Sequence, residues 1–307
     1  MPSNALQRLP VGSRVSIIRL RSLGDCVLTT PAIALLKAFR PDLAISVVVE
    51  DRFAPVFEGN PAIDEILSPS NLGIARWRPD LALNLHGGST SSQLTFASRA
   101  KFRAGFEHFR FRALYNVRIP RAQKILGVDR KVHTAEHLAS AMFFLGVPTR
   151  EVPRASLFAE SAPVAQPYAV IHPRASAPEK TWLAENFRAV AKRIQQEWNL
   201  EPVFIAGPGE SLDEFDGFGC VLGAGLAEIK TLLAGASLFV GNDSGPAHMA
   251  AAFGLPVIVL FGPSDPIVWA PWKTESAVLA SKADPIESIS VSAVLNALAN
   301  LSVGQVQ

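Results

Sequence analysis

The sequence predicts an α/β protein built from two Rossmann-like, doubly wound parallel-sheet domains. Three observations carry that expectation. Apolar, β-branched runs of strand length alternate with stretches at helical spacing along nearly the whole chain, the pattern of parallel sheets covered on both faces. A single Pro-, Ala- and Ser-rich stretch, residues 148–167, interrupts the alternation, which then begins again. The 307 residues, 49% hydrophobic and 18% charged, exceed what one core usually organises.

In chain order, residues 14–20 (RVSIIRL) read as a strand, 21–25 as a tight loop, and the segment through Phe39 as a helix that Pro41 stops. Residues 45–50 (ISVVVE) give a second strand, and a short helical piece ends at Gly59-Asn60-Pro61. Further strands are expected at 63–67 and 80–86, and a helix over 133–145 closes this half at Gly146. The second half supplies strands at 168–172, 202–206, 221–222, 237–240 and 256–261. Helices are expected at 183–198, 226–233 and 246–253. The last apolar stretch at helical spacing, 291–301, predicts a C-terminal helix that packs back on the first domain. The divisions are therefore 1–155, a linker at 156–167, 168–290, and the helix within 291–307.

Several classes are disfavoured. The opening residues lack the apolar stretch of a secretory signal, which points to a cytoplasmic protein. The most apolar segment, 250–261, is too short to span a bilayer and is broken by Gly254 and Pro256. Cys26 and Cys220 match neither a disulfide framework nor a zinc site, and both are expected as reduced thiols at or near the core. The net charge of +2 conceals an asymmetry: residues 1–150 hold 20 Lys+Arg against 11 Asp+Glu, and the remainder 9 against 16. Arg99, Lys101, Arg103, Arg110, Arg112, Arg118, Arg121, Lys124, Arg130 and Lys131 form the densest basic stretch. It suits an anionic partner such as a phosphorylated glycolipid, a membrane surface or nucleic acid; a solvated basic face explains it equally.

Ligands of open α/β sheets bind beyond the carboxyl ends of the strands, so the loops there hold the candidate chemistry, in a cleft expected between the two domains. Residues 241–248 (GNDSGPAH) follow a strand and open a helix. Asp243 or Ser244 can cap that helix, Gly245 admits close backbone approach, Pro246 suits the first turn, and the exposed N–H groups attract an anion such as a diphosphate. A well-capped helix with a buried His248 is the plainer reading. Residues 172–182 (HPRASAPEKTW) carry Arg174 and Lys180, two cations able to neutralise phosphate oxygens, or simply an exposed polar loop. In the first domain, Asp25 lies just beyond the first strand, where it serves as a general base or as a helix N-terminal carboxylate. There is no G-x-G-x-x-G fingerprint after the first strand and no Walker A sequence, which disfavours dinucleotide enzymes and P-loop NTPases.

The segments LGDCVLTTPAIALLK, HPRASAPEKTW and LLAGASLFVGNDSGPAHMAAAFGLPVIVLFGPSDP together resemble glycosyltransferase family 9, the ADP-heptose:lipopolysaccharide heptosyltransferases, in order and spacing. KFRAGF at 101–106 and KVH at 131–133 are weaker points of similarity. The resemblance implies a GT-B fold, with the acceptor on the first domain and the nucleotide sugar on the second, and inversion at the anomeric carbon. It assigns Asp25 as the base and Lys180 to the leaving ADP diphosphate. Arg174, Ser176, Asp243, Ser244, Gly245 and His248 would hold the donor, Glu210 would meet the adenosine ribose, and Arg21, Gly24, His86, Arg110 and Arg112 would meet the acceptor. No metal and no other cofactor is expected, because Asp243-Ser244 lacks the paired carboxylates that hold a divalent cation between phosphates. The implied partners are an ADP-sugar and an anionic lipopolysaccharide inner core at the cytoplasmic face of the inner membrane, with peripheral membrane association and no nucleic acid. Arg174 departs from the glycine of the family's His-Pro-Gly motif, and Ser244 from its usual threonine. A different nucleotide sugar for another surface glycan, and a noncatalytic nucleotide-sugar-binding protein, remain alternatives.

Overall fold

The computed structural model describes residues 4–160, 166–281 and 284–303. The chain divides into two compact units, Met1–Ser156 and Leu157–Gln307. The proposed linker at 156–167 falls partly on 161–165, outside the described residues.

In the first unit, β1 (Arg14–Ile18), α1 (Leu23–Phe39), β2 (Ala44–Val48) and β3 (Glu65–Leu67) form one half. The other comprises α2 (Asn71–Trp77), β4 (Leu81–Asn84), α3 (Ser89–Ala97), β5 (Phe102–Phe106) and β6 (Val117–Ile119), followed by α4 (Ala122–Leu126) and α5 (Thr134–Leu145). The six strands are parallel in the order β3-β2-β1-β4-β5-β6. Val15, Ile17, Val47 and Leu83 are fully buried, as near-continuous apolar strands require when both sheet faces are covered. Helix α1 is buried along most of its length and packs on α5, whereas Ile74 of α2 and Leu94 of α3 join Ile18, Leu20 and Val48 in a smaller cluster.

In the second unit, β7 (Tyr168–His172), α6 (Ala184–Trp198), β8 (Glu201–Ala206), β9 (Gly219–Leu222) and α7 (Leu226–Ala234) come first. They are followed by β10 (Leu238–Asn242), α8 (Gly245–Phe253), β11 (Val257–Phe261), α9 (Pro266–Trp269), β12 (Ser276–Ala280) and α10 (Val291–Ala299). The order is β12-β11-β10-β7-β8-β9, again all parallel. Read from its own first strand, this is the same doubly wound order as in the first unit. Each sheet therefore reverses direction at one place, between β1 and β4 in one unit and between β7 and β10 in the other, and ligands of such sheets collect at that point.

Several elements differ from the sequence reading. Strands β5, β6 and β12 and helices α2, α3, α4 and α9 were not expected. Helix α10 packs within the second unit: Val294 and Leu298 are buried in its core beside Phe187 and Ile194, so the apolar face that the sequence assigns to the first domain is occupied here. Cys26 is buried as expected, but Cys220 is exposed on β9. Among the described residues, no helix is long and apolar enough to cross a membrane.

Candidate active site

At the first unit's switch point, β1 delivers Arg19 and the start of α1 delivers Asp25. Ser22 is the N-cap of α1 and Asp25 its third residue, and the Ser22 N–H and hydroxyl donate to Asp25 Oδ2 at 3.4 and 3.1 Å. Arg19 Nη1 lies 3.4 Å from Asp25 Oδ1, with the arginine side chain 7% and the aspartate 22% exposed. Both carboxylate oxygens thus have fixed neighbours, and the helix N-terminus adds favourable potential. Burial pulls the Arg19 pKa down while Asp25 opposes it. Gly24 is buried in the same turn, and Arg21 is exposed, its Nε 3.7 Å from Glu50 Oε1.

His86 arrives from β4 on the other side of the switch point, held by a residue that sequence reasoning passed over. Asn84, the last residue of β4, is fully buried; its Oδ1 accepts from the N–H groups of His86 and Gly87, both at 2.9 Å. Its Nδ2 donates to Thr95 Oγ1 at 3.1 Å and to the Tyr115 hydroxyl at 3.0 Å. His86 is half-buried and its pKa is lowered, first by burial and then by Arg19. Gly87 adopts φ +85°, and an added Cβ would lie 2.6 Å from the Phe109 ring. That contact brings the segment of exposed Arg110 and Arg112 beside the His86 loop. His137, stacked on Phe106 at 4.2 Å, has its pKa pushed down to about 4, first by burial and then by His108. Within the basic stretch, Arg103 donates to the Leu114 and Ala100 carbonyls and Arg130 to both oxygens of Glu136, so these two serve the fold.

The second unit repeats the device. Asn242, the last residue of β10, is fully buried; its Oδ1 accepts from Trp182 N at 3.1 Å and its Nδ2 donates to Pro173 O at 3.0 Å. It ties both ends of the β7 loop to β10. Gly241 permits that approach, since a Cβ there would lie 2.9 Å from the His172 carbonyl oxygen. Between the tied ends, residues 178–180 form a 3-10 turn, and Lys180 Nζ reaches Asp243 Oδ2 at 3.6 Å. A Cβ on Gly262 would collide with the Glu179 carbonyl oxygen, so only glycine there lets the turn lie so close to the end of β11.

Ser244 is the N-cap residue of α8, yet neither it nor Asp243 caps the helix as the sequence suggests: the Ser244 side chain makes no capping bond. Its Oγ pairs with His172 Nδ1 at 3.0 Å, and Asp243 faces Lys180. The first turn of α8, Gly245-Pro246-Ala247, keeps amides without a side-chain acceptor, beside one cation. His172 is buried, and its pKa is pushed down to about 4 by burial and then by Arg174. His248 is buried in α8 with its ring 6.4 Å from that of Trp269.

Arg174 does not join this group. Its guanidinium turns to the loop after β8, donating from Nε to Ser211 O at 3.0 Å and from Nη2 to Ser211 O and to Glu214 Oε2, the latter at 2.6 Å. A carbonyl and a carboxylate on that loop already occupy the fork that the sequence assigns to phosphate. Glu210, on the same loop, accepts from Gly207 N at 2.6 Å, and Ser176 is exposed in the β7 loop.

Residues 74–292 match the model of glycosyltransferase family 9 (heptosyltransferase). Lipopolysaccharide heptosyltransferase 3 of Escherichia coli K12 is 28% identical over 300 residues, covering 84% of this chain and 85% of that protein. The lipopolysaccharide core heptosyltransferase OpsX of Haemophilus influenzae is 24% identical, with 86% and 83% covered. Among solved structures, a family 9 glycosyltransferase from Veillonella parvula superposes with a TM-score of 0.81 at 23% identity, over 97% of this chain and 98% of that one. E. coli heptosyltransferase WaaC with ADP superposes with a TM-score of 0.78 at 19% identity, over 93% and 99%. Two six-stranded doubly wound sheets, the loops at their switch points and the match over most of the chain lead to one assignment: the chain belongs to glycosyltransferase family 9, the heptosyltransferases, and has the GT-B fold.

Proposed function

We propose that the protein transfers heptose from ADP-heptose to an inner-core lipopolysaccharide acceptor, with inversion and without a metal ion. The observation that carries this reading is in the second unit: Lys180 and Asp243 side by side at an α8 N-terminus that lacks a side-chain cap, an arrangement suited to an anion. The acceptor oxygen attacks the anomeric carbon and gives its proton to Asp25, while the bond from that carbon to the diphosphate oxygen breaks on the opposite face. Charge grows on the departing ADP, and Lys180 with the α8 amides opposes it; a preorganised donor of this kind contributes about 10²–10³ in rate. Asp243 holds Lys180 in place and, with Ser244, Gly245 and His248, contacts donor sugar and phosphates. Glu210 meets the nucleoside. Asp25 is kept as the base by Arg19 and Ser22, which fix its orientation.

Arg21, Gly24, His86, Arg110 and Arg112 face the acceptor in this account. The excess of cations in the first half suits a phosphorylated, carboxylated glycolipid at the cytoplasmic face of the inner membrane. The relatives named as lipopolysaccharide heptosyltransferases support the acceptor class. Calorimetric binding of ADP-heptose, ADP, UDP-glucose and NAD in EDTA tests the reading. ADP compounds should bind with metal absent. Binding of UDP compounds alone removes the heptosyl donor, and a loss of activity in EDTA restored by magnesium removes the metal-free mechanism.

A further inference from the structure

We propose that Arg174 is a positioning residue that sets the loop after β8, which carries Glu210, against the loops that bind the diphosphate. This rests on the donor reading above. The β7 loop lies between its neighbours, because β7 sits between β10 and β8 in the sheet. On the β10 side it is fixed by Asn242 through Pro173 O and Trp182 N. On the β8 side the tie runs through Arg174 to Ser211 O and Glu214, with the guanidinium 5.9 Å from the centre of the Phe215 ring. Arg174 and Asn242 thus join three consecutive loops into one platform.

The loop after β8 has other anchors. Leu212 and Phe215 are buried in the core, and Arg188 of α6 donates to the carbonyls of Glu214 and Asp216. Its far end therefore keeps its place without Arg174. What Arg174 fixes is the near end: Ser211, whose carbonyl it grips, directly follows Glu210. Glu210 in turn closes the turn onto Gly207 N at 2.6 Å. Removing the guanidinium leaves the loop folded but frees Glu210 to move relative to Lys180 and Asp243. A ligand spanning both ends, a nucleoside diphosphate, registers that loss, whereas one confined to the diphosphate end does not.

The discriminating experiment measures ADP and inorganic pyrophosphate binding by calorimetry, without metal, to wild type, Arg174→Ala and Glu214→Gln. Arg174→Ala should weaken ADP about tenfold and leave pyrophosphate within twofold, and Glu214→Gln should weaken ADP about threefold in the same sense. If Arg174 instead contacts phosphate, its loss weakens both ligands equally, and Glu214→Gln, which releases the guanidinium, tightens them; that result overturns the proposal. So does ADP binding unchanged in Arg174→Ala. Amide exchange across residues 207–211 reads the tie without ligand: it should quicken in Arg174→Ala, and an unchanged rate overturns the positioning role. A wild-type protein that binds neither ligand overturns the donor reading, and with it the ligand half of the proposal, while the exchange result still decides the tie.

Discussion

Replacing Asn242 with alanine removes both side-chain bonds that tie the β7 loop to β10. Trp182 is 1% exposed and Pro173 is buried, so the Trp182 N–H and the Pro173 carbonyl lose their partner where water has little access. Each such orphaned group costs about 1–3 kcal/mol, so the variant should lose about 2–6 kcal/mol of stability in the second unit. With a urea slope of about 2 kcal/mol per molar, the unfolding midpoint should fall by about 1–3 M. Tryptophan fluorescence follows this transition, since Trp182 is packed in that core with its Nε1 donating to Ile289 O at 2.8 Å. Lys180 sits two residues before Trp182, so ADP affinity should drop by about tenfold or more under conditions where the variant is still folded. A midpoint shift below about 0.5 M, or full ADP affinity, would refute the claim that Asn242 holds this loop.

Two further outcomes follow from the same geometry. Gly262→Ala should lower the unfolding midpoint by about 0.5–1.5 M and weaken ADP about tenfold in the protein that remains folded, because the turn carrying Lys180 must move off the new Cβ; unchanged ADP affinity by calorimetry would refute this. His172 has a folded pKa of about 4, below its unfolded value, so it is neutral when folded and gains a proton on unfolding. Its contribution is whole above the unfolded pKa and is lost as pH falls towards about 4, on the order of 2 kcal/mol between pH 7 and 5. Stability measured across that range should fall more steeply for wild type than for His172→Gln, and equal slopes would show that His172 is not the group responsible.

The fold was legible where side chains follow a period. Strands such as VIVLF and AISVV and the helix over α1 announce themselves, and so do the loops between them. Strand β5 did not, because FRAGF has no β-branched residue and holds Arg103 and Gly105; the glycine is there because a Cβ would lie 2.7 Å from the Tyr115 ring. Helix α3 was missed because it buries Ser91, Ser92 and Thr95, whose hydroxyls bond to helix carbonyls, to Asn84 and to Tyr115, so that no apolar stripe is visible. Strand β12, SAVLA, lies at the sheet edge with small and partly exposed residues.

Site residues divide in the same way. Asp25 and Lys180 were singled out because strand-to-helix loops mark themselves locally. Asn84 and Asn242 were not singled out, although each is a polar residue closing an otherwise apolar strand at the same place in the two sheets, and that was the available signal. The direction of Arg174 was beyond reach of local pattern, since its partners lie 37 and 40 residues away.

Single-turnover transfer from ADP-heptose to a lipopolysaccharide inner-core acceptor separates the proposed roles of Asp25 and Lys180. Asp25→Asn should lower the transfer rate by about 10²–10⁴ while ADP-heptose binding stays within about threefold, as a base that touches only the acceptor requires. Lys180→Ala should weaken donor binding and lower the rate together. An Asp25→Asn variant that transfers within tenfold of wild type would show that Asp25 is not the base.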